Sequence, residues 1–172
     1  MPTSSKSVIG IVEHVSIGRR ATNVPAKIDT GADSSAIWAT NIRVDRKGVL
    51  RFSLFGEGSE YYNGKVFKRT DFSVSKVKSS NGASEIRYQT HFTVTIADRR
   101  VRALFNLSDR SRNTYKILIG RRTISNKFVV DVAKGSERLP MPAETKHLRK
   151  ELRKSAYDFH TKYVAKSKGV AE

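Results

Sequence analysis

The sequence predicts an all-β domain followed by a C-terminal amphipathic helix. Short runs dense in β-branched and aromatic residues fill the chain up to about residue 135. Turn signals separate them, with Asn63-Gly64 and Asn81-Gly82 as hairpin-type dipeptides. After Pro140 and Pro142 the composition turns to good helix formers. The expected organisation is a β domain over 1–135, then a Pro-containing linker and basic helix over 136–172. Short strands at this spacing suit a barrel or a sandwich.

Each element has its own signal. Val8 to Ile17 is a β-branched run, and Val24 to Asp29 is a second. Val49 to Phe55 alternates, with Leu50, Phe52 and Leu54 against Arg51 and Ser53. Phe67 to Lys78 alternates as well. Glu85 to Ile96 and Arg99 to Leu107 continue the pattern, with Asp98-Arg99-Arg100 as the short turn between them. Ile117-Leu118-Ile119 is an apolar strand ending in Gly120-Arg121, and Arg122-Thr123-Ile124 reads as a short helix start. From Ala143 onward, Leu148, Leu152, Phe159 and Tyr163 recur at intervals of four, seven and four, with Ala156 between. They form one apolar stripe, while Lys146, Arg149, Lys150, Arg153, Lys154 and Lys162 cover the other faces. Such a helix is expected to lie on its own domain or on a partner subunit. A nucleic-acid- or ribosome-binding helix is the sharper alternative.

Composition narrows the class. The 172 residues are 38% hydrophobic, enough for one domain with a core and an appendage. No apolar run approaches the roughly 18 residues needed to span a membrane, and the N-terminus lacks a signal-peptide pattern. The absence of cysteine excludes disulfides, thiolate metal sites and a Cys nucleophile. These features favour the cytoplasm and no membrane partner. A net charge of +17 attracts nucleic acid, an anionic membrane surface or an acidic peptide. No aromatic-basic signature of the RRM kind appears.

The residues with the most chemistry are Lys27-Ile28-Asp29-Thr30-Gly31-Ala32-Asp33. An apolar strand delivers Asp29 into a semi-buried loop. Thr30 can bond a neighbouring backbone, and Gly31 permits a tight turn and close approach of another backbone. Two such loops facing each other would hold two carboxylates a hydrogen bond apart, sharing one proton. One would take a proton from water while the other polarises a scissile carbonyl. Only one such motif is present, so if the chemistry needs two, the second carboxylate would come from a homodimer.

With its continuation Ser34-Ser35-Ala36-Ile37, and Ile117-Leu118-Ile119-Gly120-Arg121 downstream, this motif resembles a retropepsin-type aspartic protease subunit. Lys76 to Tyr88, Leu107 to Ser111 and Phe128 to Asp131 resemble a bacterial branch of that family commonly labelled as ATP-dependent zinc proteases. The resemblance spans roughly Val8 to Val132 and implies a closed acid-protease barrel. It implies Asp29 as the catalytic residue, loop support from Thr30, Gly31 and Ala32, and an ion pair between Asp33 and Arg121. It also implies a peptide substrate, since members of the branch are associated with trimming glutamate tails from a ribosomal protein. Where that branch often has a His after the Ser-Ala pair, this chain has Trp38.

The label's cofactors find no support in the residues. His14, His91, His147 and His160 show no zinc-ligand spacing, and no phosphate-binding Gly-Lys-Ser/Thr loop occurs, so neither metal nor cofactor is expected. A flap closing over substrate is expected at Phe55 to Gly64 or at the hairpin tip Ser79 to Ala83. Glu85 and Arg87 would share a strand face and, with Arg110 and Arg112, are candidates to line a substrate groove. The rival reading keeps the barrel as a non-catalytic basic module holding RNA, a ribosome or an acidic protein.

Overall fold

The computed structural model describes residues 5–78, 84–135 and 141–165. Its strands are β1 (Ser7–Ile9), β2 (Val12–Ile17), β3 (Ala21–Asp29), β4 (Ser35–Val44), β5 (Leu50–Leu54), β6 (Val66–Arg69), β7 (Ser73–Lys78), β8 (Ser84–Ile96), β9 (Arg99–Ser108), β10 (Ile117–Gly120) and β11 (Phe128–Val130). Helix α1 (Arg121–Ile124) follows β10, and α2 (Ala143–Lys154) and α3 (Ala156–Phe159) lie in the tail. The chain falls into two compact units, 1–136 and 137–172.

Six strands close a barrel in the order β3, β2, β8, β9, β4, β10, with β10 returning to β3. The all-β class and the C-terminal helix are therefore as the sequence predicts. Alternation builds the wall: Val101, Ala103, Phe105 and Leu107 of β9 point inward, while Arg100 and Arg102 face water. β10 runs parallel to β3 and antiparallel to β4, so it is paired on both edges, and Ile117 and Ile119 are fully buried. β5 and β6 extend the sheet beyond β4. There Phe52 stacks on Phe67 at 5.2 Å between ring centroids, and Phe92 meets both edge-on.

Several sequence runs resolve differently. Val8 to Ile17 divides at Gly10-Ile11: β1 leaves the barrel to pair with β11, and β2 enters it. Phe67 to Lys78 divides into β6 and β7. β4 gave no strand signal because Ser35 to Ala39 are buried on every side, which erases alternation. The β8–β9 turn is Ala97-Asp98, both with positive φ, and Arg99 already pairs with Ile96. The dipeptide Asn81-Gly82 and the tip Ser79 to Ala83 lie outside the described residues.

The tail helix is interrupted once, at Ser155, and α3 runs on as a π-helical turn over His160–Val164. Ser155 adopts an extended conformation that ends α2, and its hydroxyl accepts the Asp158 N–H at 3.2 Å to cap α3. Leu152 is 45% exposed, and no residue of α2 is buried.

Candidate active site

Asp29 is the last residue of β3, half-buried, directly beside Gly120 in the parallel register. The strand is anchored by Ala26 and Ile28, which point into the core. Asp29 Oδ1 accepts the N–H groups of Gly31 at 3.0 Å and Ala32 at 3.1 Å, so the loop's own backbone fixes the carboxylate. Thr30 and Gly31 are exposed at the loop tip, and Ala32 is half-buried.

The β10–α1 junction clamps this loop from behind. The N–H of Arg121 donates to Ala32 O at 2.8 Å, and that of Arg122 to Asp33 O at 3.2 Å. Gly120 N–H donates to Ser35 Oγ at 3.1 Å, and that hydroxyl also bonds Thr123 Oγ1 at 2.8 Å. Arg121 Nε donates to Asp33 Oδ1 at 2.7 Å, and Nη2 reaches the same oxygen. Both partners are more than half exposed, so the pair adds little to the stability of one subunit.

The two loop glycines differ. A Cβ on Gly120 would lie 2.5 Å from the backbone C and O of Ser34, so the clamp closes only over a glycine. Gly31 has no left-handed φ, and a Cβ there would meet nothing nearer than Asp29 Oδ1 at 3.4 Å. Within one subunit there is therefore room for a Cβ at Gly31.

A groove of about 450 Å³ runs between this loop and the β7–β8 hairpin. Ala32 and Asp33 line one side, Ser75, Val77 and Arg87 the other, with Asn106 and Arg110 between. Arg110 is half-buried and its Nε donates to Tyr115 O at 3.2 Å. Burial pushes its guanidinium below the usual range, the charge of Arg87 pushes it further, and the carboxylate of Asp29 pulls it back. Arg110 thus lies within electrostatic reach of both. Arg87 pairs with Glu85 along the same strand face at 2.7 Å. Arg112 is exposed and outside the groove lining; its charge acts on Asp109 instead.

Of the two flap candidates, Phe55 to Gly64 is tied elsewhere. Phe55 is fully buried at φ 64°, its N–H bonds Trp38 O at 2.9 Å, and its carbonyl accepts Thr40 Oγ1 at 2.6 Å. Trp38 packs edge-on to Phe55 and against Gly56, a core position. Of the β7–β8 hairpin, Ser75 to Lys78 and Arg87 share a groove with Ala32 and Asp33 of the aspartate loop; its tip, the second candidate, lies outside the described residues.

Asn106 was not anticipated. It is 4% exposed, accepts Ser75 Oγ at 2.6 Å from the hairpin and donates to Ser35 O at 3.4 Å beside the clamp. The readable signal was an amide inside the apolar run Phe105-Asn106-Leu107. Asn106→Ala strips partners from the half-buried Ser75 hydroxyl and from the carbonyl of buried Ser35, and is expected to cost about 1–3 kcal/mol in urea unfolding; an unchanged midpoint contradicts this.

A closed barrel with one Asp-Thr-Gly loop clamped by an Ile-Leu-Ile-Gly strand defines a retropepsin-like subunit. The family model described as RimB-like, retropepsin-like aspartic endopeptidase RimB, matches residues 8–139, and the chain belongs to that family. Two curated relatives are named probable alpha-L-glutamate ligase. The one from Shewanella pealeana is 31% identical over 111 residues, and the one from Shewanella halifaxensis 30%. Each match covers 63% of this chain, and the chain spans only 24% of either relative. A solved Legionella pneumophila protein of unknown function is 28% identical with a TM-score of 0.60, covering 75% of this chain and 95% of that one.

Proposed function

We propose that the protein is an aspartic endopeptidase acting as a homodimer on glutamate-rich peptides. The observation that carries this reading is the Asp29 carboxylate, oriented by two amides on a loop whose Ala32 and Asp33 line a cationic groove, with its charge felt by Arg110 in that groove. In the dimer, the exposed loop tips meet about the two-fold axis and the two Asp29 carboxylates share one proton. The ionised one takes a proton from water as that water attacks the scissile carbonyl. The protonated one donates to the carbonyl oxygen, giving a tetrahedral intermediate whose collapse releases the amine. Thr30 bonds the partner's loop backbone, Gly31 admits its close approach, and the β7–β8 hairpin serves as the flap that excludes water.

The groove supports the substrate class. Arg87 and Arg110 repel one another, and a substrate carboxylate between them relieves that repulsion through charge-assisted contacts. Lys76 and Lys78 add positive charge on the hairpin side. The relatives point the same way: a region like this chain occupies a quarter of proteins named for joining glutamate.

The test is a peptide library with glutamate-rich and neutral members, incubated across pH 4 to 8. Preferred cleavage of the glutamate-rich members is expected, and no cleavage of any member contradicts the proposal. Arg110→Glu is expected to lower kcat/KM on glutamate-rich peptides by roughly 10- to 100-fold while sparing neutral ones. Equal losses on both classes would remove Arg110 from substrate recognition.

A further inference from the structure

At the far end of β3 from Asp29, two arginines converge on one aromatic ring. Arg20, in the β2–β3 turn, places its guanidinium carbon 4.6 Å from the centroid of Phe67. Arg69, the last residue of β6, lies 5.5 Å from the same centroid and 5.6 Å from that of Phe92. Both rings are buried, and Phe67 is further stacked on Phe52, so the platform is rigid. The turn is held as well: Asn63 Nδ2 donates to Arg20 O at 2.8 Å. Among the described residues, no carboxylate lies within ion-pair distance of either guanidinium. Burial and the charge of Arg20 both disfavour the charged form of Arg69. Two like charges are thus held together without compensation, each already desolvated on one face by a ring.

A charged residue on an edge strand ordinarily serves to block edge-to-edge pairing. That explains Lys68, which faces water on β6, but not Arg20, which is on no edge, nor Arg69, which is turned inward over Phe92. We propose that Arg20 and Arg69 form an oxyanion subsite that takes a backbone phosphate of RNA. Arg69 Nη1 donates to Lys68 O at 3.2 Å, and the remaining N–H donors of the two planar forks can bridge the two free oxygens of one phosphodiester. Exposed Arg19, Lys65 and Lys68 flank the pair and offer serial contacts to successive phosphates. β3 carries the chain about 25 Å from this turn to Asp29, at roughly 3.3 Å per residue, so RNA there leaves the groove open. This inference does not depend on peptidase activity.

The test is fluorescence anisotropy of the full chain with a labelled mixed-sequence duplex RNA at 50 to 200 mM salt. The double variant Arg20→Gln, Arg69→Gln is expected to weaken binding at least about tenfold and to reduce the log–log salt slope by about two. Lys6→Gln with Lys134→Gln removes the same charge elsewhere and is expected to change binding less than about twofold. Arg20→Lys with Arg69→Lys keeps charge and stacking bulk but loses the forks, and is expected to bind at intermediate strength. If the Gln pair fails to fold, the Lys pair decides alone, with unaltered affinity overturning the proposal. Equal losses in the Gln and control pairs also overturn it, since the charge would then act diffusely. Loss of polyglutamate binding with RNA binding intact overturns it in favour of an acidic-peptide exosite.

Discussion

Asp29→Asn leaves the barrel folded and lowers hydrolysis of glutamate-rich peptides by at least about a thousandfold. The amide is isosteric with the carboxylate, and its oxygen can still accept the N–H groups of Gly31 and Ala32 that orient the side chain. What it lacks is a proton to share. With an amide on each side of the dyad, neither group can take a proton from water or polarise the carbonyl as an acid. Circular dichroism, melting temperature and dimer fraction should match the wild type. Activity within about tenfold of wild type would remove Asp29 from the chemistry.

Gly120→Ala has the largest expected effect on the fold. The new Cβ lies 2.5 Å from the backbone of Ser34 and 3.0 Å from Ala32 O, so no side-chain rotation relieves it. The aspartate loop must move away from β10, loosening the bonds from Arg121 N–H and Arg122 N–H. A cost of about 3 kcal/mol is expected, on the order of 10 °C in melting temperature, and activity falls with it. Gly31→Ala is the contrast. Its Cβ finds open space apart from Asp29 Oδ1 at 3.4 Å, so the subunit should melt as wild type while the dimer weakens. A stable Gly120→Ala variant would contradict the clamp; loss of subunit stability in Gly31→Ala would contradict the role given to that glycine.

The aspartate loop and its partner strand were legible because their chemistry is local: an apolar strand, a carboxylate and a glycine, then Ile-Leu-Ile-Gly. Alternation exposed the two strands that line the groove, since β7 and β8 each have one face toward water. β4 was hidden because pairing on both edges and burial on both faces leave no period to read. Glycine content drew attention to Phe55 to Gly64, but not to the bond between Phe55 and Trp38 that anchors its first residue, a contact between distant positions. Asn106, Ser35 and Thr123 were missed for the same reason. Each is an ordinary polar residue until the barrel brings Ser75, Ser35 O and Gly120 N–H within reach.

The central claim is that one active site is built from two subunits, each giving one Asp29. It is tested most directly by adding the Asp29→Asn protein to a fixed amount of wild type and following cleavage of a glutamate-rich peptide. Mixed dimers hold one aspartate and are inactive, so an equal amount of variant should lower the rate to about half, and excess should drive it toward zero. A rate that is indifferent to added variant would mean that each subunit works alone, and would contradict the shared site.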